Sequence, residues 1–435
     1  MGGVISLKGL VKAIKRIIDN DYLFSIVSKV SGVILGVIYS SGYNRFLGAE
    51  LRGDAAIINN YVGLVGVALG VGLYQAYPYF KKNYKTSMED FINNISSMFL
   101  LYLLISILIA VFTGFSLQVK IIGLMIPISI FVRQLNYVIM IEYPKRRNLT
   151  SIFLNIFSII VIFILFFAVR ANYYWMVFVL SIELIVNVGI SFYNLRYSPL
   201  KIRIDFRLLP KLAKYGFIPM LSTLLMTINY KVDVVMLENN VPKSDIGIYA
   251  LGVSLAERVW LIPDAVKDIM VSKLAKGKDA SETARVLRCG LFAALICTVL
   301  VVALGKPFFW LLYGKEFDGS YYITIIMLIG IIGMIFYKMV YSYNVINGNK
   351  NINFLFLSIA AIVNIVGNFF LIPIAGIYAA ALVSVLSYSV CGIQFLVFFH
   401  KHTSIKYREM LLIKKQDLKQ IKLLIMGKSQ KKKQS

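Results

Sequence analysis

Apolar residues in this chain fall in long runs separated by short polar turns. Twelve such runs lie near 25–47, 55–80, 89–112, 120–143, 148–169, 174–195, 212–237, 246–271, 286–311, 321–346, 352–372 and 376–399. Each is close to the roughly 20 residues a helix needs to cross a bilayer. The pattern predicts an all-α polytopic membrane protein with about 12 transmembrane helices. Ahead of the first run, Leu7, Leu10, Val11, Ile14, Ile17 and Ile18 share one helical face, with Lys8, Lys12, Lys15 and Arg16 elsewhere. That arrangement predicts a helix lying on an anionic membrane surface. The longest inner polar interruption, RYSPLKIRIDFRLLPK, falls mid-chain. The expected organisation is therefore an amphipathic cytoplasmic segment (1–24), a six-helix lobe (25–195), an inter-lobe loop (196–211), a second six-helix lobe (212–399) and a basic cytoplasmic tail (400–435). The halves echo each other: GDAAIINN opens the second run at Gly53 and SDIGIYAL the eighth at Ser244. Basic, Asn-containing turns precede the fifth and eleventh runs. Such echoes predict a parallel repeat of the kind transporters use, with substrate between the halves.

Composition sharpens this picture. The 435 residues are 59% hydrophobic and 15% charged, against about 25% charged in soluble domains. A net charge of +25 would point to nucleic acid in a soluble protein. Here 33 of the 46 Lys and Arg fall in one alternate set of turns and tails and seven in the other. By the positive-inside rule both termini are cytoplasmic, the span count is even, and no nucleic-acid partner is expected. The tail, ending in Lys431, Lys432 and Lys433, reads as an anchor to anionic lipid at about 1 kcal/mol per basic residue. Cys289, Cys297 and Cys391 lie in apolar runs and predict neither disulfide nor metal site. His400 and His402 read as interfacial residues rather than a metal pair. The first run is too long for a cleavable signal sequence.

Charges inside the runs carry the candidate chemistry, because a charge at mid-bilayer costs roughly 2.5–3.5 kcal/mol unless it meets a partner or a wet cavity. The stretch Asn229 to Lys273 holds most of them, on what reads as two membrane helices joined by a short turn. Lys231 and Asp233 lie on the first, Glu257 and Arg258 on the second. Arg133 lies mid-run in the fourth span and Glu183 in the sixth. Two readings are open: interhelical ion pairs, or a cationic lumen for an anionic substrate in which Arg133, Lys231 and Arg258 bind. Asp233, Glu257 and Glu183 are the candidates for proton or sodium coupling, since burial raises a carboxyl pKa. The run NRFLGAELRGD sets Arg45, Glu50, Arg52 and Asp54 in what reads as an outer turn, with two readings open: a mouth that attracts phosphate or sugar at the exit, or a solvated turn. Tyr39, Tyr43, Tyr230 and Tyr249 are placed to stack on sugar rings. Gly63, Gly66 and Gly70 read as a close-packing face.

No Walker loop, G-x-S-x-G or H-E-x-x-H motif is present, so no enzyme activity and no resident cofactor are expected. YNRFLGAELRGDAAIINNYVGLVGVALGVG and DVVMLENNVPKSDIGIYALGVSLAERVWLIPDAV resemble the second, seventh and eighth helices of polysaccharide flippases. LLYGKEFDGS and NGNKNINFLFLSIAAIVNIVGNFFLIPIAGIYAAALVSV resemble their later ones. Over most of residues 20–400 the chain resembles the oligosaccharide (O-antigen or capsule repeat-unit, Wzx-like) flippases of the multidrug/oligosaccharidyl-lipid/polysaccharide exporter superfamily. The resemblance implies two six-helix lobes around a central cavity, in a bacterial inner (cytoplasmic) membrane. It implies a substrate of undecaprenyl pyrophosphate bearing an oligosaccharide, and other polysaccharide-assembly membrane proteins as partners. Arg45 matches the family's frequent Arg at the end of the first span, near the exit. A drug/cation antiporter of the same superfamily is the alternative, and would need an acid-dominated cavity. A membrane glycan polymerase would need a large outer loop, which this chain lacks.

Overall fold

A computed structural model describes residues 21–196, 205–259, 280–346 and 350–417. Among them every regular element is helical, with no strand. In chain order these are α1 (Asp21–Leu69), α2 (Leu73–Tyr84), α3 (Met88–Phe112), α4 (Leu117–Glu142), α5 (Pro144–Ala168), α6 (Tyr173–Leu195), α7 (Leu208–Leu237) and α8 (Lys243–Val259). There follow α9 (Ala280–Tyr313), a 3₁₀ turn (Lys315–Phe317), α10 (Asp318–Ile346), α11 (Lys350–Thr403) and the short α12 (Tyr407–Leu411). Helices are the form expected in lipid, where each backbone N–H and C=O must be satisfied within its own segment.

Among the described residues, nine helices are long and apolar enough to cross a membrane. The chain is a multi-pass membrane protein. Its helices carry their apolar faces outward: Leu104, Phe112, Phe163, Phe167 and Ile374 are all exposed. In water such a surface would aggregate; in a bilayer it is the solvated face.

Several predicted boundaries are kinks rather than loops. α1 bends at Gly48 (φ 70°), between the first two apolar runs, and α11 bends at Ala375 and Gly376, between the last two. Glycine at positive φ turns the axis there without a separate loop. α9 bends at Gly305 (φ 64°), inside the ninth run. Elsewhere side chains cap the starts of helices. Ser87 Oγ accepts from the Asp90 N–H at 3.0 Å, and Asn172 Oδ1 accepts from the Trp175 N–H at 3.0 Å. The predicted helix over 1–20, residues 260–273 of the 229–273 hairpin and residues 418–435 of the tail lie outside the described residues.

The described chain forms two compact units. The first comprises residues up to Leu251 with Phe309–Ser320 and Asn368–Ala380; the second comprises Gly252–Phe308, Tyr321–Gly367 and the residues from Ala381 on. The first is cored by two clusters. One gathers Phe46, Ile58, Val62, Ile130, Ile162 and Met176; the other gathers Tyr77, Phe91, Ile95, Phe131 and Leu135. Bare backbone contacts hold α7 to the start of α2. A Cβ on Gly72 (φ +65°) would lie 2.2 Å from the Gly216 oxygen, and one on Gly216 2.3 Å from the Gly72 oxygen. In the second unit a Cβ on Gly333 of α10 would lie 2.2 Å from the Tyr388 oxygen of α11. Ser387 donates to the Ala360 carbonyl at 2.8 Å.

Candidate functional site

The first unit carries a half-open cavity of about 510 Å³ bounded by α1, α4, α6 and α7. Tyr39 and Tyr43 line it from the first half of α1, and Arg52, Asn59 and Gly63 from the second half. Past the Gly48 kink these last three share one face, being spaced by seven and four residues. Ser129 and Arg133, four apart on α4, close another side; Glu183 of α6 and Lys231 of α7 complete it.

Three of the four charged side chains in this lining are basic. Arg52, Arg133, Glu183 and Lys231 are all half-buried. With all four ionised the wall carries a net charge of two positives, a field that concentrates anions inside low-dielectric walls. Asn44, 1% exposed, orients Arg52: its Oδ1 accepts from Arg52 Nε at 3.1 Å, while its Nδ2 donates to the Ser40 carbonyl at 2.6 Å. The Arg52 guanidinium stands 5.8 Å from the Tyr43 ring centroid, and Tyr43 stacks on Tyr39 at 5.4 Å. Lys231 reaches the cavity because Gly63 has no side chain; a Cβ there would lie 2.8 Å from Lys231 Cε. The site therefore offers guanidinium forks and an ammonium for an anion, beside an aromatic pair.

Of the residues singled out in the sequence, Arg133, Lys231 and Glu183 come together here, joined by Tyr39 and Tyr43. Arg45 does not line this cavity. It is exposed and donates to three carbonyls at the end of α9, with Nε to Leu312 at 2.9 Å and Nη2 to Leu311 at 2.7 Å and Trp310 at 3.3 Å. Asp233 is 2% exposed and accepts from the Tyr249 hydroxyl and, at 2.8 Å, from the Val234 N–H. It too lies outside the cavity lining. Glu257 and Arg258 are half-buried on α8 and belong to the second unit. His400 and His402 face the backbone carbonyls of Ile405 and Phe398.

Arg52 lines this cavity, whereas the sequence reading set it in a turn at the outer mouth, because the charges and glycines around it look like a loop. The signal was present: Arg52, Asn59 and Gly63 fall on one face once the run is drawn as helix.

Comparison with solved structures gives this all-helical fold as that of transporters and flippases. The lipid II flippase MurJ, in an inward closed conformation, matches 94% of this chain and 93% of that one, with a TM-score of 0.69 and 18% identity. An inward-facing multidrug resistance MATE family transporter of the MOP superfamily matches 87% of this chain and 98% of that one, with a TM-score of 0.64 and 10% identity. The chain thus has the fold shared by MurJ and the MATE transporters. By sequence it is 23% identical, over 73% of its length and 84% of the relative's, to the capsular polysaccharide biosynthesis protein CapF of Staphylococcus aureus. No protein-family model matches the chain.

Proposed function

We propose that this protein is a flippase. It moves undecaprenyl-pyrophosphate-linked oligosaccharide repeat units from the cytoplasmic to the outer leaflet by alternating access, for surface polysaccharide assembly. The observation that carries this reading is the cavity of the first unit, with three cations to one acid. Arg52, Arg133 and Lys231 offset the pyrophosphate charge; Arg258 is a further candidate for binding an anion, and Arg45 acts near the exit. The Tyr39–Tyr43 pair receives a sugar ring. The polyprenyl chain stays in the membrane. The likeness to MurJ and to a capsule biosynthesis protein supports a lipid-linked glycan as cargo.

In this reading the chain crosses the bacterial inner membrane twelve times, as lobes 25–195 and 212–399, with both termini cytoplasmic and the basic tail on anionic lipid. Proton or sodium movement is coupled through an acid. Glu183 is the best placed, since it lines the cavity; Asp233 and Glu257 are the other candidates. Other polysaccharide-assembly membrane proteins take up the product. A multidrug/cation antiporter is the alternative reading, and the basic excess of the cavity wall disfavours it.

Deleting the gene and locating the lipid-linked oligosaccharide tests the proposal. Accumulation on the cytoplasmic leaflet, relieved by wild-type protein and not by Lys231→Ala, is the expected result. Unchanged surface glycan with lost drug resistance would favour the antiporter.

A further inference from the structure

Back to back with the charged cavity lies an apolar groove of about 270 Å³ on the membrane-facing side of the first unit. Ile38, Tyr39, Gly42 and Arg45 of α1 form one wall, and a stripe of α5 that includes Phe163, Phe166 and Phe167 forms the other. The helices meet where Gly42 lacks a side chain; a Cβ there would lie 2.9 Å from Ile162 Cγ2. Two features separate this groove from an ordinary lipid-facing furrow. Tyr39 lines both the groove and the cavity, so one side chain forms the partition between them. Arg45 closes the end that charge placement assigns to the outside. Three of its five N–H donors are used on the carbonyls of Trp310, Leu311 and Leu312, and its Nη1 makes no hydrogen bond to the described residues. An exposed guanidinium with a donor to spare thus caps an apolar channel that abuts an anion-attracting cavity.

Resting on the flippase reading, we propose that this α1–α5 groove seats the polyisoprenyl chain of the lipid carrier, with the carrier phosphate on Arg45 Nη1. The cavity holds the head group during transit. Tyr39 is the side chain the carrier passes as its phosphate leaves the cavity for Arg45. A carrier so placed keeps its tail against aromatic and branched aliphatic side chains while its charge moves between two cationic stations.

The test uses the full-length protein in nanodiscs and a C55 polyprenyl diphosphate bearing a diazirine on its chain, with labelled sites mapped by mass spectrometry. Labelling is expected on the 159–167 stretch of α5, with displacement by unlabelled polyprenyl diphosphate and not by phosphatidylglycerol. Arg45→Gln should lower labelling roughly tenfold, the scale of one charged hydrogen bond, and Arg45→Lys less. A thermal melt of each variant separates this from loss of the α9 cap. If the probe binds in a Lys231- and Arg133-dependent way but labels elsewhere, or phosphatidylglycerol displaces it equally well, the groove assignment falls and the flippase reading stands. If the probe does not bind the wild-type protein at all, the flippase reading itself falls.

Discussion

Gly53 and Gly247 approach so closely that a Cβ on Gly247 would lie 3.1 Å from the Gly53 nitrogen. The relation is reciprocal. A Cβ on Gly53 would lie 1.9 Å from the Lys243 oxygen, and one on Gly247 2.0 Å from the Ala49 oxygen. These glycines sit in GDAAIINN and SDIGIYAL, the two segments that echo each other in sequence. Each gives up its side chain so that the other's helix can approach, as related helices in a repeat would do.

Neither position should therefore accept alanine. The opposing atoms are backbone oxygens, which cannot swing aside as a side-chain tip can. Overpacking a tight contact costs about 1–3 kcal/mol and sometimes more. Gly53→Ala or Gly247→Ala should lower the melting temperature of the purified protein and its folded yield. Gly66→Ala, where a Cβ would meet only Ile130 Cγ1 at 3.7 Å, should be tolerated. Equal melting temperatures for all three would show that this contact is not as close as described.

The cavity makes separable demands on its cations and its acid. Removing Lys231, Arg133 or Arg52 should slow transport of lipid-linked oligosaccharide roughly 10- to 100-fold, the scale of one lost charge-assisted hydrogen bond. Asn44→Ala should reproduce part of the Arg52 effect, since Asn44 holds that guanidinium. Asn44→Asp, which keeps an acceptor, should retain more activity. Glu183→Gln leaves every cation in place. If Glu183 couples transport to an ion, the variant should still bind polyprenyl diphosphate but no longer respond to an imposed proton or sodium gradient. Proteoliposome flux with and without a gradient is the measurement.

How far the chain could be read in advance depended on which forces act locally. Helix type and rough limits followed from apolar run length, because the bilayer fixes that length. Lys231, Arg133 and Glu183 were visible because charge stands out in an apolar run. Arg52 was set in a turn instead, because charges and glycines interrupt its run, whereas the helix resumes past the Gly48 kink and runs on to Leu69. Arg45 was found but its surroundings were not, since the α9 carbonyls it caps lie about 265 residues away in sequence. Asp233 looked like a lumen residue, whereas its bond to Tyr249 holds it between α7 and α8. Contacts of that kind depend on tertiary packing that spacing alone does not encode.

The ion pair between Asp54 and Lys243, 2.7 Å long, is lopsided: the carboxylate is 6% exposed and the ammonium 49%. The two truncations should therefore differ. Lys243→Ala strands a buried carboxylate and should cost about 1–3 kcal/mol. Asp54→Asn leaves a lysine that water can solvate and should cost under about 1 kcal/mol. Adding Asp54→Asn to Lys243→Ala should restore most of the lost stability. A double-mutant cycle on melting temperature reads this coupling directly.

In the second unit, Arg288 on α9 grips Asp417 through two bonds, Nε to Oδ2 at 2.5 Å and Nη2 to Oδ1 at 2.8 Å, and donates through Nη1 to the Glu409 carbonyl at 3.0 Å. Both side chains are buried, and Met410 between them in sequence is fully so. The clamp holds the segment after α11 against α9. Burial alone would raise the Asp417 carboxyl; the Arg288 bonds and the Lys414 N–H at 2.9 Å outweigh it and hold the group below its ordinary range. A carboxyl whose folded pKa is depressed stabilises above its unfolded value, about 3.9, and loses that contribution as pH falls through the lower folded value. Hydrogen exchange along the 407–417 segment should therefore stay slow at neutral pH and speed up below about pH 3.9, before α10 and α11 open. Asp417→Asn should release the segment at neutral pH, with faster tryptic cleavage at Lys414 and Lys415. Replacing Arg288 leaves the buried Asp417 with the more exposed Arg285, 3.7 Å away, and replacing Asp417 leaves Arg288 with the Glu409 carbonyl. Each single change should cost less than the ~3–5 kcal/mol of a fully broken buried pair, and Arg288→Met with Asp417→Leu should be milder than either. Equal protection in wild type and Asp417→Asn at pH 7 would mean the apolar contacts of Met410 hold the segment by themselves.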